Sequence, residues 1–153
     1  PFTYNSGPQS TSNAPDLPAP QDGLAGAQFL MTKGFPKRSA AYLAGNIQQE
    51  SGWYGQRAPW DDVGAPAGGL VSWRAGRLNA IEAFYGKPIS QITNGQQIAY
   101  MIQEMRDRYP DAYRVFMNPY ATPRQLQEAS FRYWGYGEAG ARYTYAEQFY
   151  QQL

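Results

Sequence analysis

Residues 40–52, Ala-Ala-Tyr-Leu-Ala-Gly-Asn-Ile-Gln-Gln-Glu-Ser-Gly, carry an apolar stripe that runs into a single glutamate and then breaks at a glycine. Ala40, Leu43, Ala44 and Ile47 follow the i, i+3, i+4, i+7 spacing of one buried helical face, and Glu50, one further turn along, falls at its edge. Such a position partly desolvates a carboxylate. Desolvation disfavours the charged form, which is the property a general acid working near neutral pH requires. The plain alternative is a helix-end Glu that is solvated or salt-bridged.

The 153 residues suffice for one domain with a real core, and they contain no His and no Cys. That absence removes Ser-His-Asp and Cys-His catalysis together with His- or Cys-ligated zinc. Carboxylate-driven glycoside cleavage is the commonest enzyme class that fits the remaining alphabet, and no cofactor or metal is called for. Thirteen Tyr and four Trp supply flat amphipathic side chains for core and groove alike. The formal charge of +1, without a Lys/Arg block, argues against nucleic acid as partner. No apolar run is long enough to span a bilayer, so no membrane role is expected.

Residues 1–21 are rich in Pro, Ser, Asn and Gly and read as an extended linker or arm, with the domain proper over 22–153. The start at Pro1 rather than Met reads as a piece of a longer or processed chain. A first helix is expected from Asp22 to Gly34, with Pro36 opening the Glu50 helix. Residues 53–69 are broken by Gly and Pro into a surface loop or short hairpin. Leu70, Trp73, Arg77, Leu78, Ile81 and Phe84 recur at helical spacing up to Gly86 and Pro88. Thr93-Asn94-Gly95-Gln96 and Thr122-Pro123-Arg124-Gln125 have capping-box form and open two more helices, and a last helix carries Arg142, Tyr145, Ala146 and Phe149. No strand-like alternation persists. The expected fold is all-α, or mainly α-helical.

Glu50-Ser51-Gly52, followed by Gly69-Leu70-Val71-Ser72-Trp73 with Arg77 and Leu78 behind it, resembles the phage tail-associated lysozymes, a branch of the lysozyme superfamily related to goose-type lysozymes and lytic transglycosylases. Asn46 stands where that family has an Asn before its Glu-Ser. Residues 131–150, with Glu138, Arg142 and Ala146, are similar to its C-terminal pattern, so the resemblance covers about 24–153. It implies a lysozyme-like fold whose groove is lined by the irregular loop or hairpin. It also implies cleavage of peptidoglycan between N-acetylmuramic acid and N-acetylglucosamine, with Glu50 as the acid. The implied setting is a phage virion, in its tail, acting on the host cell wall and periplasm during genome entry. Other tail or virion proteins would hold the domain through the N-terminal arm. One departure is Ser72, where relatives usually have a Gln that is implied to line the sugar site; serine keeps a donor and an acceptor but loses reach.

Asp61 and Asp62, between the Glu50 loop and Gly69, are candidates for a second catalytic carboxylate. At roughly 5 Å from Glu50 such a group would act as nucleophile, and at roughly 6.5–9.5 Å it would activate water. With neither near, the muramoyl 6-hydroxyl would attack as in lytic transglycosylases, or other groups would position water. Trp53, Tyr54 and Trp60 are expected to stack on sugar, with Tyr136 on the opposite wall. Trp73 fits core packing better. Ser51 is expected to orient the Glu50 carboxylate or cap the break, and Glu138 with Arg142 to form an i, i+4 ion pair. The rival readings are a non-catalytic module that binds wall glycan, and an enzyme acting on chitin.

Overall fold

The structure, a computed structural model, describes residues 19–153. The expected arm therefore lies outside the described residues up to position 18. Among the described residues, seven α-helices and one small sheet build the mainly α-helical fold expected from the periodicity. Helix α1 (Gly23–Thr32) starts where the Asp22 carboxylate accepts a hydrogen bond from the Ala25 amide, 2.9 Å away. Helix α2 (Lys37–Ser51) follows Pro36 and ends at Gly52 in the left-handed conformation.

Helix α2 is the centre of the molecule. Every residue from Ser39 to Ile47 is buried, so the helix is covered all round and not along a single stripe. Most of those residues are small, which lets neighbours approach closely on several sides. Helices α1, α5 (Pro110–Met117), α6 (Pro123–Trp134) and α7 (Arg142–Gln152) all pack on it, α7 most extensively.

The Gly/Pro-rich segment forms a three-stranded antiparallel sheet of β1 (Trp60–Asp62), β2 (Ala65–Gly68) and β3 (Trp73–Arg74), in that order. Trp60 faces Ala67 and Asp62 faces Ala65 across the first pair; Gly68 faces Trp73 across the second. The hairpin expected here is therefore present. The helix expected to begin near Leu70 instead begins at Gly76 (α3, Gly76–Tyr85). Leu70 and Val71 occupy a tight turn closed by the Ser72 amide on the Gly69 carbonyl, and Trp73 belongs to the sheet. Burial of Leu70 and Trp73 in the common core accounts for their apolar character without a helix.

Both capping boxes form. Thr93 opens α4 (Asn94–Arg108) and Thr122 opens α6, each with its side chain on the amide three residues on and the Gln side chain returning to the Thr amide. After α4 the chain restarts as α5 at Pro110, a residue suited to a first helical position, giving a helix that the sequence reading leaves unmarked. Amide side chains at the start of α4 pin the flanks of the sheet. Buried Gln97 accepts from the Leu70 amide and donates to the carbonyls of Gly55 and Ile92, while Asn94 donates to those of Trp53 and Pro20. A second buried polar cluster ties sheet to helices. Glu104 accepts from Trp73 Nε1, from Arg77 twice and from the Tyr133 hydroxyl.

Candidate active site

The last turn of α2 places Glu50 at the molecular surface with its side chain 19% exposed. The carboxylate is thus partly desolvated, as expected, at the end of a helix buried on every side. It is also salt-bridged: Arg142 Nη2 donates to Glu50 Oε2 over 2.9 Å. Oε1 has no partner among the described residues.

Arg142 is almost wholly buried and each part of its guanidinium is engaged. Nε donates to the Ala139 carbonyl and Nη1 to Asn46 Oδ1, both at 2.9 Å. The Tyr136 ring covers the cation, with its centroid 4.0 Å from Cζ. Burial pushes the Tyr136 phenol up from its ordinary value, and the neighbouring guanidinium opposes that rise. Asn46 is fixed in turn, since Nδ2 donates to the Tyr42 carbonyl and to Ser130 Oγ, which itself donates to the Leu126 carbonyl. The expected ion pair between Glu138 and Arg142 does not form. Residues 135–141 are not helical, so the i, i+4 relationship does not exist, and a buried cation finds its counter-charge on α2 instead.

Ser72 meets Glu50 from the other side. Its hydroxyl donates 3.0 Å to the Glu50 backbone carbonyl, with φ of +58° turning the residue towards the end of α2. The side chain thus reaches the main chain of Glu50, not its carboxylate. Ser51 does not orient the carboxylate either; its hydroxyl donates back to the Ile47 carbonyl, four residues earlier in the same helix.

Trp53 is a correction. It is 2% exposed, packs its indole over Gly26 and donates Nε1 to the Ala44 carbonyl, so it is a core residue and not a sugar platform. A ring at this position has apolar helix α1 to cover it, which the loop sequence alone does not reveal. Tyr54, next in the chain, is 61% exposed. On β1, Trp60 is half-buried with the Arg57 guanidinium 4.9 Å from its ring, and Asp62 pairs with Arg74 at 3.5 Å. Alternation along the strand puts Trp60 and Asp62 on one face and exposed Asp61 on the other. Trp73 is fully buried, the expected core residue, although it reaches the core from a strand and not from a helix. Among the described residues no three His, Cys, Asp or Glu side chains gather to hold a metal ion.

An acid at the end of a buried central helix, paired with a buried arginine, is accompanied by a match along nearly all of the described residues. The sequence model of the family described as phage tail lysozyme covers residues 23–153. The chain belongs to that family. No curated protein and no solved structure matched it. Membership in the phage tail lysozyme family carries a lysozyme-like action on peptidoglycan and association with a phage tail. No helix among the described residues is long and apolar enough to cross a membrane.

The residue that sequence reasoning missed is Arg142 in its role beside Glu50. One signal was available: Asn46 and Glu50 lie one turn apart on α2, and together they offer a carbonyl and a carboxylate to a single guanidinium.

Proposed function

We propose that this domain cleaves the glycan strands of bacterial peptidoglycan between N-acetylmuramic acid and N-acetylglucosamine, with Glu50 as general acid. One observation carries the reading: a carboxylate at the end of the central helix with one oxygen anchored and the other without a partner among the described residues. In the protonated form, Glu50 gives its proton to the glycosidic oxygen as the C1–O bond breaks and the electron pair stays on that oxygen. Water then adds at the sugar carbon, which carries oxocarbenium-like charge, and its surplus proton returns to Glu50.

Trp60 and Asp62 share the strand face that we assign to substrate, with Trp60 stacking on a sugar ring. Asp62, and not Asp61, is the hairpin acid we place beside the attacking water. Tyr54 and Tyr136 complete the walls of the groove, and Ser72 holds the end of α2. In the virion the domain would open the wall locally as the genome enters, tethered to other tail proteins through residues 1–21. The test is Glu50→Gln in a turbidity assay on peptidoglycan. A folded variant should lose at least the roughly hundredfold contribution of a general acid. Near-wild-type lysis would remove Glu50 from the chemistry and favour a wall-binding module.

A further inference from the structure

We infer that Arg142 is the positioning residue of Glu50: its guanidinium fixes Oε2 and leaves Oε1 as the oxygen that surrenders the proton. The inference rests on the reading of Glu50 as the acid. Exposed ion pairs at helix ends are mobile and contribute little. This one differs, because Arg142 is 3% exposed and held at three points by Ala139, Asn46 and Glu50 under the Tyr136 ring.

The hold is built into the contact between α2 and α7. Gly45 lets the backbone of Arg142 and Ala146 press directly onto α2, where any side chain would intrude. Gln49 accepts from the Ala141 amide at 3.0 Å and so satisfies one of the free donors ahead of α7. Four residues of one helical turn and a half, Gly45, Asn46, Gln49 and Glu50, therefore receive the same short stretch of chain. A guanidinium fixed in this way cannot follow the carboxylate, so the carboxylate must keep its place.

The chemical consequence follows from where charge moves. When the Oε1 proton passes to the glycosidic oxygen, negative charge appears on the Glu50 carboxylate, and the cation is already 2.9 Å from it. No reorganisation is needed at that moment, which is the way preorganised charge lowers a barrier. Arg142 reaches the proposed groove only through the Tyr136 ring above it, so its loss should appear chiefly in kcat, with a small change in KM.

The experiment measures kcat and KM on soluble labelled peptidoglycan fragments for wild type, Arg142→Met, Arg142→Lys, Glu50→Gln and Glu50→Gln with Arg142→Met, each checked for folding by circular dichroism. Arg142→Met is expected to lower kcat at least about tenfold with KM within about twofold, and Arg142→Lys to recover part of the loss because it restores charge without the three-point hold. In the Glu50→Gln background the same Arg142→Met change should produce no further loss. Wild-type kcat in Arg142→Met, with Glu50→Gln inactive, would overturn the inference while leaving the acid in place. An equal loss in both backgrounds would also overturn it, since that is the behaviour of a structural residue. If Arg142→Met does not fold, Arg142→Lys decides, and an unchanged kcat counts against the inference. Full activity of Glu50→Gln would overturn the reading of the acid and the inference with it.

Discussion

Gly45 and Ala146 meet backbone to backbone: a Cβ on Gly45 would lie 2.7 Å from the Ala146 nitrogen and 2.5 Å from the Arg142 carbonyl oxygen. Neither atom can yield without moving α7. Gly45→Ala should therefore push the two helices apart and destabilise the fold by about 1–3 kcal/mol, the usual range for overpacking, although alanine is the better helix former. Thermal denaturation checks this. A raised melting temperature would show that α7 is not seated as tightly as described.

The turn between β1 and β2 places two consecutive residues at positive φ, Val63 at 51° and Gly64 at 83°. That is the backbone of a type I′ hairpin turn, in which asparagine or aspartate normally precedes the glycine. A β-branched residue there is strained, and Val63 is 89% exposed, so no burial offsets it. Val63→Asn should stabilise the protein by roughly 1 kcal/mol and raise the melting temperature by a few degrees. No change, or a fall, would mean that Val63 makes a contact beyond the hairpin.

Glu104 responds to pH in a defined direction. Burial alone would raise its carboxyl, but hydrogen bonds from Arg77, Tyr133 and Trp73 outweigh that and hold it below its ordinary value of 4.5. A carboxyl depressed in the folded state stabilises the fold above the unfolded value and loses that contribution as pH falls through the folded one. Wild type should accordingly lose stability on acidification below about pH 4.5, and Glu104→Gln should show a shallower loss there. At neutral pH the variant should be less stable, towards the lower end of roughly 3–5 kcal/mol because the Arg77 side chain left behind is still 32% exposed. Chemical denaturation at several pH values measures both effects, and parallel pH profiles would contradict the assignment.

Two tryptophans of the same loop region should behave oppositely. Trp53→Ala removes a buried ring and should cost about 3–5 kcal/mol of stability. Trp60→Ala should leave the melting temperature nearly unchanged and weaken glycan binding by about 0.5–1.5 kcal/mol, the worth of one stacking contact. Calorimetry beside a glycan titration separates them, and the reverse pattern would exchange their roles.

The contrast between those tryptophans marks the limit of what the sequence discloses. Helix periodicity and two Thr capping boxes were legible because each is a local device, read within four residues. The place of Glu50 at the end of a helix is legible for the same reason. Trp53 was not, because the partner that buries it is Gly26 on another helix. The Leu70–Trp73 stretch matched a helical period, yet its apolar residues serve a turn and a strand that share the core. Spacing misleads for Arg142: Glu138 is four residues away in sequence, but the non-helical segment before α7 sends the guanidinium to Asn46 and Glu50, some ninety positions earlier. Long-range polar contacts of this kind leave no periodic trace.

Mass spectrometry of the muropeptides released from purified peptidoglycan by the wild-type domain and by Glu50→Gln identifies both the bond cleaved and the acid that cleaves it. Fragments ending in reducing N-acetylmuramic acid are expected from the wild type, and almost none from the variant. Anhydromuramic ends would replace water by the sugar's own hydroxyl as nucleophile. Fragments ending in reducing N-acetylglucosamine, or undiminished release by Glu50→Gln, would contradict the proposed bond and the proposed acid.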